Sequence, residues 1–305
     1  MIRGVSEYSR WLAGAVPVSL GRVGLCILLM VVGGRPLCGQ ALNVLLTNDD
    51  GFEAPGIVAM HGALLEAGHR VTLVAPLKNQ SGVGSAITTS GTIDYYPQET
   101  GVWAVDGTPA DAVALALTHL MRTDPPDLVI SGANFGQNVG ASVVSSGTVG
   151  AALTGARAGI PAIAVSIAID PRQAEGLSGT LDAMLPAAEL TVDIVRQLAE
   201  SADGELLPPR TVLNLNYPAV GDRAPGGTRF ATVSAHRGFR QVFTVAGDSG
   251  PARVGMALAN TDRAEEGSDL SLLSNGFVTL SVLEGNLGMG KESWPPFLQR
   301  LAVER

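Results

Sequence analysis

What most constrains this chain is the regular alternation, from Ala41 onward, of short apolar runs with amphipathic stretches. Runs at 43–47 (NVLLT), 70–75 (RVTLVA), 128–131, 162–169 and 212–216 (VLNLN) are short and mostly apolar. A strand tolerates that only where layers cover both sides of its sheet. Amphipathic stretches at 56–67, 110–121, 148–158 and 177–199 supply the covering helices. The pattern predicts an α/β fold, a Rossmann-like, mostly parallel sheet flanked by helices. After Pro218 the texture changes, with dense Gly and Thr, and 230–233, 242–245 and 277–283 read as strands of hairpins. The predicted organisation is a leader over 1–40, a core over 41–218, and an extension over 219–305. That extension is a C-terminal β-hairpin region suited to oligomerisation or to covering a site, and it ends in a short helix at 294–303.

The leader carries Arg3, Arg10 and Arg22, then the apolar run 23–32, then Gly33, Gly34, Pro36, Cys38 and Gly39. A basic region, a short apolar region and small residues in that order read as a secretory signal peptide, which predicts a periplasmic or secreted protein. The run falls short of the roughly 20 apolar residues that span a bilayer, so no stable membrane span is expected. An uncleaved anchor and a misassigned start codon stay open as alternatives. Both cysteines, Cys26 and Cys38, lie in this segment, which excludes a Cys-based zinc site, a disulfide or a Cys nucleophile in the domain. A formal net charge of -8 speaks against a nucleic acid polymer as partner, because such binding rests on Lys and Arg displacing counterions. A small phosphorylated ligand is compatible with it, since a metal ion and a few backbone donors supply positive charge locally.

Four polar segments follow the apolar runs, where a parallel sheet places its ligand crevice. Asn48-Asp49-Asp50-Gly51 comes straight after 43–47, and two adjacent carboxylates can share one ion only where a strand is ending. An Asx turn with two solvated aspartates is the competing reading. Residues 75–82 offer Ser81 as a neutral oxygen for a hard cation, or an ordinary Ser-Gly loop. In 131–140 the glycines permit close backbone approach, and Asn134 and Asn138 bring amide groups. Ser145-Ser146-Gly147-Thr148 runs into a helix, whose free N–H groups and hydroxyls suit a phosphate. Simple N-capping by Ser146 is compatible with that role. The phosphate loop of nucleotide triphosphatases, the complete dinucleotide fingerprint and the G-x-S-x-G elbow are all missing. The 4 histidines lack metal-ligand spacing, and among them His236 is the candidate acid or base.

Five segments in order resemble the SurE family of survival-protein nucleotidases. They are NVLLTNDDGFEAPGI (43–57), NQSGVGSAIT (79–88), VDGTPADAVALAL (105–117), PDLVISGANFGQNVG (126–140) and SSGTVGAALTGARAGIPAIAVS (145–166). The resemblance implies a metal-dependent phosphomonoesterase that hydrolyses nucleoside 5′-monophosphates, with 3′-monophosphates and short polyphosphate as further substrates. It implies one divalent cation per subunit, Mn2+ or Mg2+, held by Asp49, Asp50, Ser81 and Asn134, with Asp49 and Asp50 as the catalytic pair. Asn138, Ser146, Gly147 and Thr148 would line the phosphate site. It also implies a homodimer or homotetramer formed by exchange of a C-terminal arm, and a cytoplasmic location if the start codon is misassigned. The chain departs from the family pattern at Leu77 and Lys78, where the family has Asp and Arg, and at Thr154, where it often has Glu. It also departs at 281–283, which reads Ser-Val-Leu in place of Thr-Pro-Leu. Asp49 and Asp50 are adjacent and lack the D-x-D spacing of aspartyl-phosphate enzymes, which favours water over Asp49 as the nucleophile. A nucleotide-binding or sensor protein that keeps the pocket without turnover is the alternative.

Overall fold

A computed structural model of the chain describes residues 41–169, 178–200, 205–221, 223–259 and 263–285. The leader and the helix expected at 294–303 lie outside them. Among the described residues no helix is long and apolar enough to cross a membrane.

The first half of the sheet is made by β1 (Asn43–Thr47), β2 (Arg70–Pro76), β3 (Tyr95–Glu99), β4 (Val102–Val105) and β5 (Leu128–Phe135). The second half adds β6 (Ala162–Ile167), β7 (Thr211–Tyr217), β8 (Thr228–Phe230) and, after the separate pair β9 (Phe239–Val245) and β10 (Ala252–Leu258), the last strand β11 (Val278–Glu284). The nine-stranded sheet has the order β3-β4-β2-β1-β5-β6-β7-β11-β8. From β4 to β7 all neighbours are parallel; β3 and β11 pair antiparallel with β4 and β7. The chain winds outward from β1 to β2 and β4, then crosses to β5 and winds the other way. The gap between the ends of β1 and β5 is therefore a topological switch point, where open α/β sheets bind ligands.

Side chains alternate along β1, so one face carries Val44 and Leu46 and the other Leu45. Val44 and Leu46 pack with Ile57, Met60 and Leu64 of α1 (Pro55–Glu66). The same cluster includes Met184, Ala187 and Val195 from the first and middle turns of α5 (Met184–Ala199). Leu45 and Val129 pack on the opposite face with Val113 of α2 (Pro109–Leu115) and Val149, Ala152 and Ala156 of α3 (Gly147–Arg157). These two cores are why the strands are apolar throughout.

The structure departs from the sequence pattern in places with identifiable causes. The helix expected over 177–199 is two helices, α4 (Ser178–Asp182) and α5. Pro186 has no N–H to donate to the Asp182 carbonyl, so the ladder is interrupted there. The hairpin β3–β4 was not signalled, because β3 is an exposed edge strand containing Pro97 and lacks an apolar face. β5 runs on through Gly132 and Ala133 to Phe135, with a register shift between Ser131 and Asn134. Residues 277–283 do not form a hairpin strand. As β11 they join the main sheet beside β7, and β8 pairs alongside them. Within the extension only β9 and β10 make a separate antiparallel ribbon. A short helix α6 (Asp269–Ser274), capped by Ser268, precedes β11.

Candidate active site

The rim after β1 turns sharply at Gly51, which has φ of 113°, a conformation open to glycine. Asn48 performs the turn chemistry. Its Nδ2 donates to the Gly51 carbonyl at 2.8 Å and its Oδ1 accepts from the Gly51 N–H at 3.2 Å. The two aspartates are thereby released from turn duty and project toward the switch point. Asp49 is 3% exposed. Its Oδ1 accepts from the Thr148 hydroxyl at 2.6 Å, across from the start of α3. Asp50 accepts from the Phe135 N–H at 2.8 Å, at the end of β5, and from Asn79 Nδ2 at 3.3 Å. Gln80 N–H donates to the Asp49 carbonyl at 2.7 Å. Three loops from three strands and one helix start thus converge on two carboxylates.

Burial pushes the Asp49 carboxyl from an ordinary 3.8 up to about 6; the Thr148 hydrogen bond opposes the rise and the neighbouring Asp50 charge adds to it. Burial also raises Asp50, against the hydrogen bonds from Phe135 and Asn79. Among the described residues no Lys, Arg or His forms an ion pair with either aspartate. Two neighbouring carboxylates, Asp49 buried and Asp50 half-buried, without a cationic side chain are costly unless something positive joins them.

The other residues singled out in the sequence surround this pair. Asn134 sits at the end of β5 and its Nδ2 donates to the Gly136 carbonyl at 2.6 Å, which turns its Oδ1 away as the free acceptor. Ser81 is exposed, and its N–H donates to Asn79 Oδ1 at 2.9 Å, so Asn79 clips the Ser81 loop to Asp50. Ser146 caps α3, its Oγ accepting from the Val149 N–H at 3.1 Å. Gly147 opens the helix so close to Asp49 that a Cβ there would lie 2.7 Å from the Asp49 Cβ. Asn138 Nδ2 donates to Ser166 Oγ at 2.9 Å and to Thr148 Oγ1 at 3.3 Å. Its backbone is gripped by β7: the N–H donates to Asn216 Oδ1 at 2.7 Å, and the carbonyl accepts from Asn214 Nδ2 at 2.9 Å and Asn216 Nδ2 at 3.2 Å. The Thr148 hydroxyl and the Asn138 amide are therefore spent on bracing Asp49 and β6. Asp49 also draws on the Thr148 N–H and Ser146 Oγ takes the Val149 N–H, so the Ser146 hydroxyl proton and the Gly147 N–H are what α3 keeps for an anion.

His236 does not join the cluster; its ring lies 4.0 Å from Glu265 and it is partly exposed. Of the departures from the family pattern, Lys78 pairs with Asp106 at 3.5 Å on the surface, and Thr154 Oγ1 donates to the Gly150 carbonyl at 2.8 Å inside α3. The sequence reading passed over Asn48, Asn79, Ser166, Asn214 and Asn216 as participants. Asn48 and Asn79 lay in quoted motifs, but nothing in a strand reading VLNLN marks its two asparagines as supports for a distant loop.

Among the described residues no group of three or more His, Cys, Asp or Glu forms a metal cluster. The available donors are instead two carboxylates with amide and hydroxyl oxygens, a set that suits a hard divalent cation and not a soft or thiolate-seeking one.

Comparisons with known proteins bear on the family and the fold. The family model described as Survival protein SurE matches residues 44–239. A protein of Desulfovibrio desulfuricans named 5′-nucleotidase SurE is 39% identical over 249 residues, covering 79% of this chain and 92% of the relative. The 5′-nucleotidase SurE 1 of Thermus thermophilus is 37% identical over 252 residues, covering 81% and 93%. The match to the Solidesulfovibrio magneticus 5′-nucleotidase SurE is 44% identical over 186 residues and spans 65% of that relative's length. The crystal structure of the SurE protein from Aquifex aeolicus superposes with a TM-score of 0.67 at 32% identity, covering 81% of this chain and 94% of that one. With a family model matching well over half of its length, the chain belongs to the SurE family.

Proposed function

We propose that this protein is a 5′-nucleotidase, a phosphoric monoester hydrolase that releases phosphate from nucleoside 5′-monophosphates, with 3′-monophosphates and short polyphosphate as further substrates. The observation that carries the reading is the pair of adjacent carboxylates, Asp49 buried and Asp50 half-buried, with no Lys, Arg or His paired to them among the described residues, facing the start of α3 at the switch point. The names of the relatives point the same way.

The donor set fits one divalent cation, Mn2+ or Mg2+, held by Asp49, Asp50, Ser81 and Asn134. Such an ion, when bound, polarises phosphoryl oxygens and acidifies water. Asp49 is held in place by Thr148, and Asp50 by Phe135 and Asn79, so neither carboxylate has to reorganise as charge develops. Ser146 and Gly147 receive the phosphate at the positive end of α3. Asn138 and Thr148 support that turn from behind.

The test is phosphate release from a nucleotide panel by metal-stripped protein, with Mn2+ or Mg2+ added back. Cation-dependent release is expected. Nucleotide binding without release would favour the sensor reading, and neither binding nor release would overturn both. The exposed apolar side chains Phe243, Val245, Val254 and Met256 on the β9–β10 ribbon support a homodimer or homotetramer, which light scattering would check. The pattern of residues 1–40 supports export, which N-terminal sequencing of the mature chain would check.

A further inference from the structure

Among the described residues, two buried carboxylates lie outside the site just described: Asp111, which closes the capping box of α2 with Thr108, and Asp269. Asp269, the first residue of α6, is 0% exposed. Among the described residues no cation pairs with it, and Ser268 already caps the helix through Ser271. Its oxygens are taken by backbone N–H groups from three places in the chain. Oδ2 accepts from Gly140 at 2.9 Å, and Oδ1 from Ser234 at 2.9 Å and from Leu270 at 2.7 Å. Gly140 opens the segment 140–146 that leads into the phosphate turn, and Ser234 belongs to the strap that leads into β9.

The corner at Gly140 is held from a second side. Its φ of 56° is left-handed, and a Cβ there would lie 2.1 Å from the His236 carbonyl oxygen. Ala141 N–H donates to that same carbonyl at 3.0 Å. Val139 is buried against Leu270 and Leu273 of α6. Two residues before the corner stands Asn138, whose amide reaches Thr148 and through it Asp49. A buried carboxylate without a counterion is a poor choice for stability alone. An acceptor of three N–H bonds is a good way to fix three separate backbones in one register.

We infer that Asp269 is a positioning residue for the phosphate turn, fastening the Gly140 corner to α6 and to the base of the β9–β10 ribbon. Its loss loosens 138–146 directly and reaches the carboxylates proposed to hold the cation only through the Asn138–Thr148 contact. The inference rests on the phosphate-site reading for its kinetic consequence, but its structural consequence is measurable without any activity.

The experiment is Asp269→Asn in the full chain, followed by hydrogen exchange of peptides covering 138–148, Mn2+ titration, and competition by inorganic phosphate. The amide side chain keeps one acceptor and turns an N–H₂ toward either Gly140 or the Ser234–Leu270 pair. Exchange in 138–146 should speed up by about tenfold or more. The inhibition constant for phosphate and the KM should rise by about tenfold or more, with a much smaller change in Mn2+ affinity. Glu265→Gln, which keeps one acceptor oxygen and changes the contacts to Ser234 and Ala235 on the same strap, should leave exchange in 138–146 at the parent rate. Unaltered exchange and phosphate inhibition in folded Asp269→Asn would overturn the inference, as would an equal collapse of Mn2+ and phosphate binding. Should that variant fail to fold, Gly140→Ala perturbs the same corner and must show the same split. A parent protein that neither binds nor releases phosphate sinks the functional reading, and exchange in the variant then decides the positioning separately.

Discussion

Gly147→Ala sets two effects of opposite sign against each other. Alanine is the better helix former by up to about 1 kcal/mol in a helix interior, and by less at the first position, so propensity alone predicts a slightly more stable protein. The added Cβ, however, would lie 2.7 Å from both the Cβ and Oδ2 of Asp49 and 3.1 Å from its Cγ. Ordinary carbon contacts are about 3.5–4.0 Å, so Asp49 has to retreat by about 1 Å. It has little freedom to do so. The Thr148 hydroxyl holds its carboxylate at 2.6 Å and the Gln80 N–H holds its carbonyl at 2.7 Å. Overpacking of this kind costs about 1–3 kcal/mol, which exceeds the propensity gain. Moving a proposed ligand and its hydrogen-bonded support should also weaken the cation by about 10–100-fold. Thermal unfolding of the metal-free protein, calorimetric titration with Mn2+ and phosphate release measure the three consequences. A variant of equal or greater stability with unchanged Mn2+ affinity would refute the placement of α3 against Asp49.

Asp49→Asn should lose Mn2+ binding and more than about 1,000-fold of phosphate release, while the metal-free variant at pH 7 is at least as stable as the parent. The stability half follows from the raised pKa. The folded state holds the Asp49 proton more tightly than the unfolded chain, so the stability of the metal-free parent falls as pH climbs from about 4 to about 6, by up to about 3 kcal/mol. Urea unfolding across that window should show the loss in the parent and its absence in Asp49→Asn. A parent whose stability rises through the window would contradict the burial of Asp49. Ser146→Ala removes the acceptor for the Val149 N–H and should cost about 1 kcal/mol as a lost cap. It should also weaken inhibition by inorganic phosphate, and an unchanged inhibition constant would remove Ser146 from the phosphate site.

Much of this was legible in the chain because it rests on local rules. Apolar runs without polar alternation, such as NVLLT and RVTLVA, demanded a doubly covered parallel sheet, and the polar segments that follow them fell at its carboxyl rim. Glycine at 51 and the Ser-Gly-Thr helix start at 146–148 announced a turn and an anion-facing terminus by their own stereochemistry. What could not be read is whatever depends on contacts across long separations. Asn138 is braced by Asn214 and Asn216 from β7, and Asp269 meets Gly140 from 129 residues away. The extension was expected to be hairpins, yet β11 entered the main sheet, because the edge it pairs with exists only once β7 is in place. By itself the sequence determined which residue types stand at the strand ends, since backbone conformation and burial follow from neighbours along the chain. Only the tertiary structure decided that Asp49 is buried beside a half-buried Asp50 with no Lys, Arg or His paired to either among the described residues, and that Thr148 serves Asp49. Pairing, desolvation and charge balance are properties of what folding brings near, and they do not exist along the chain.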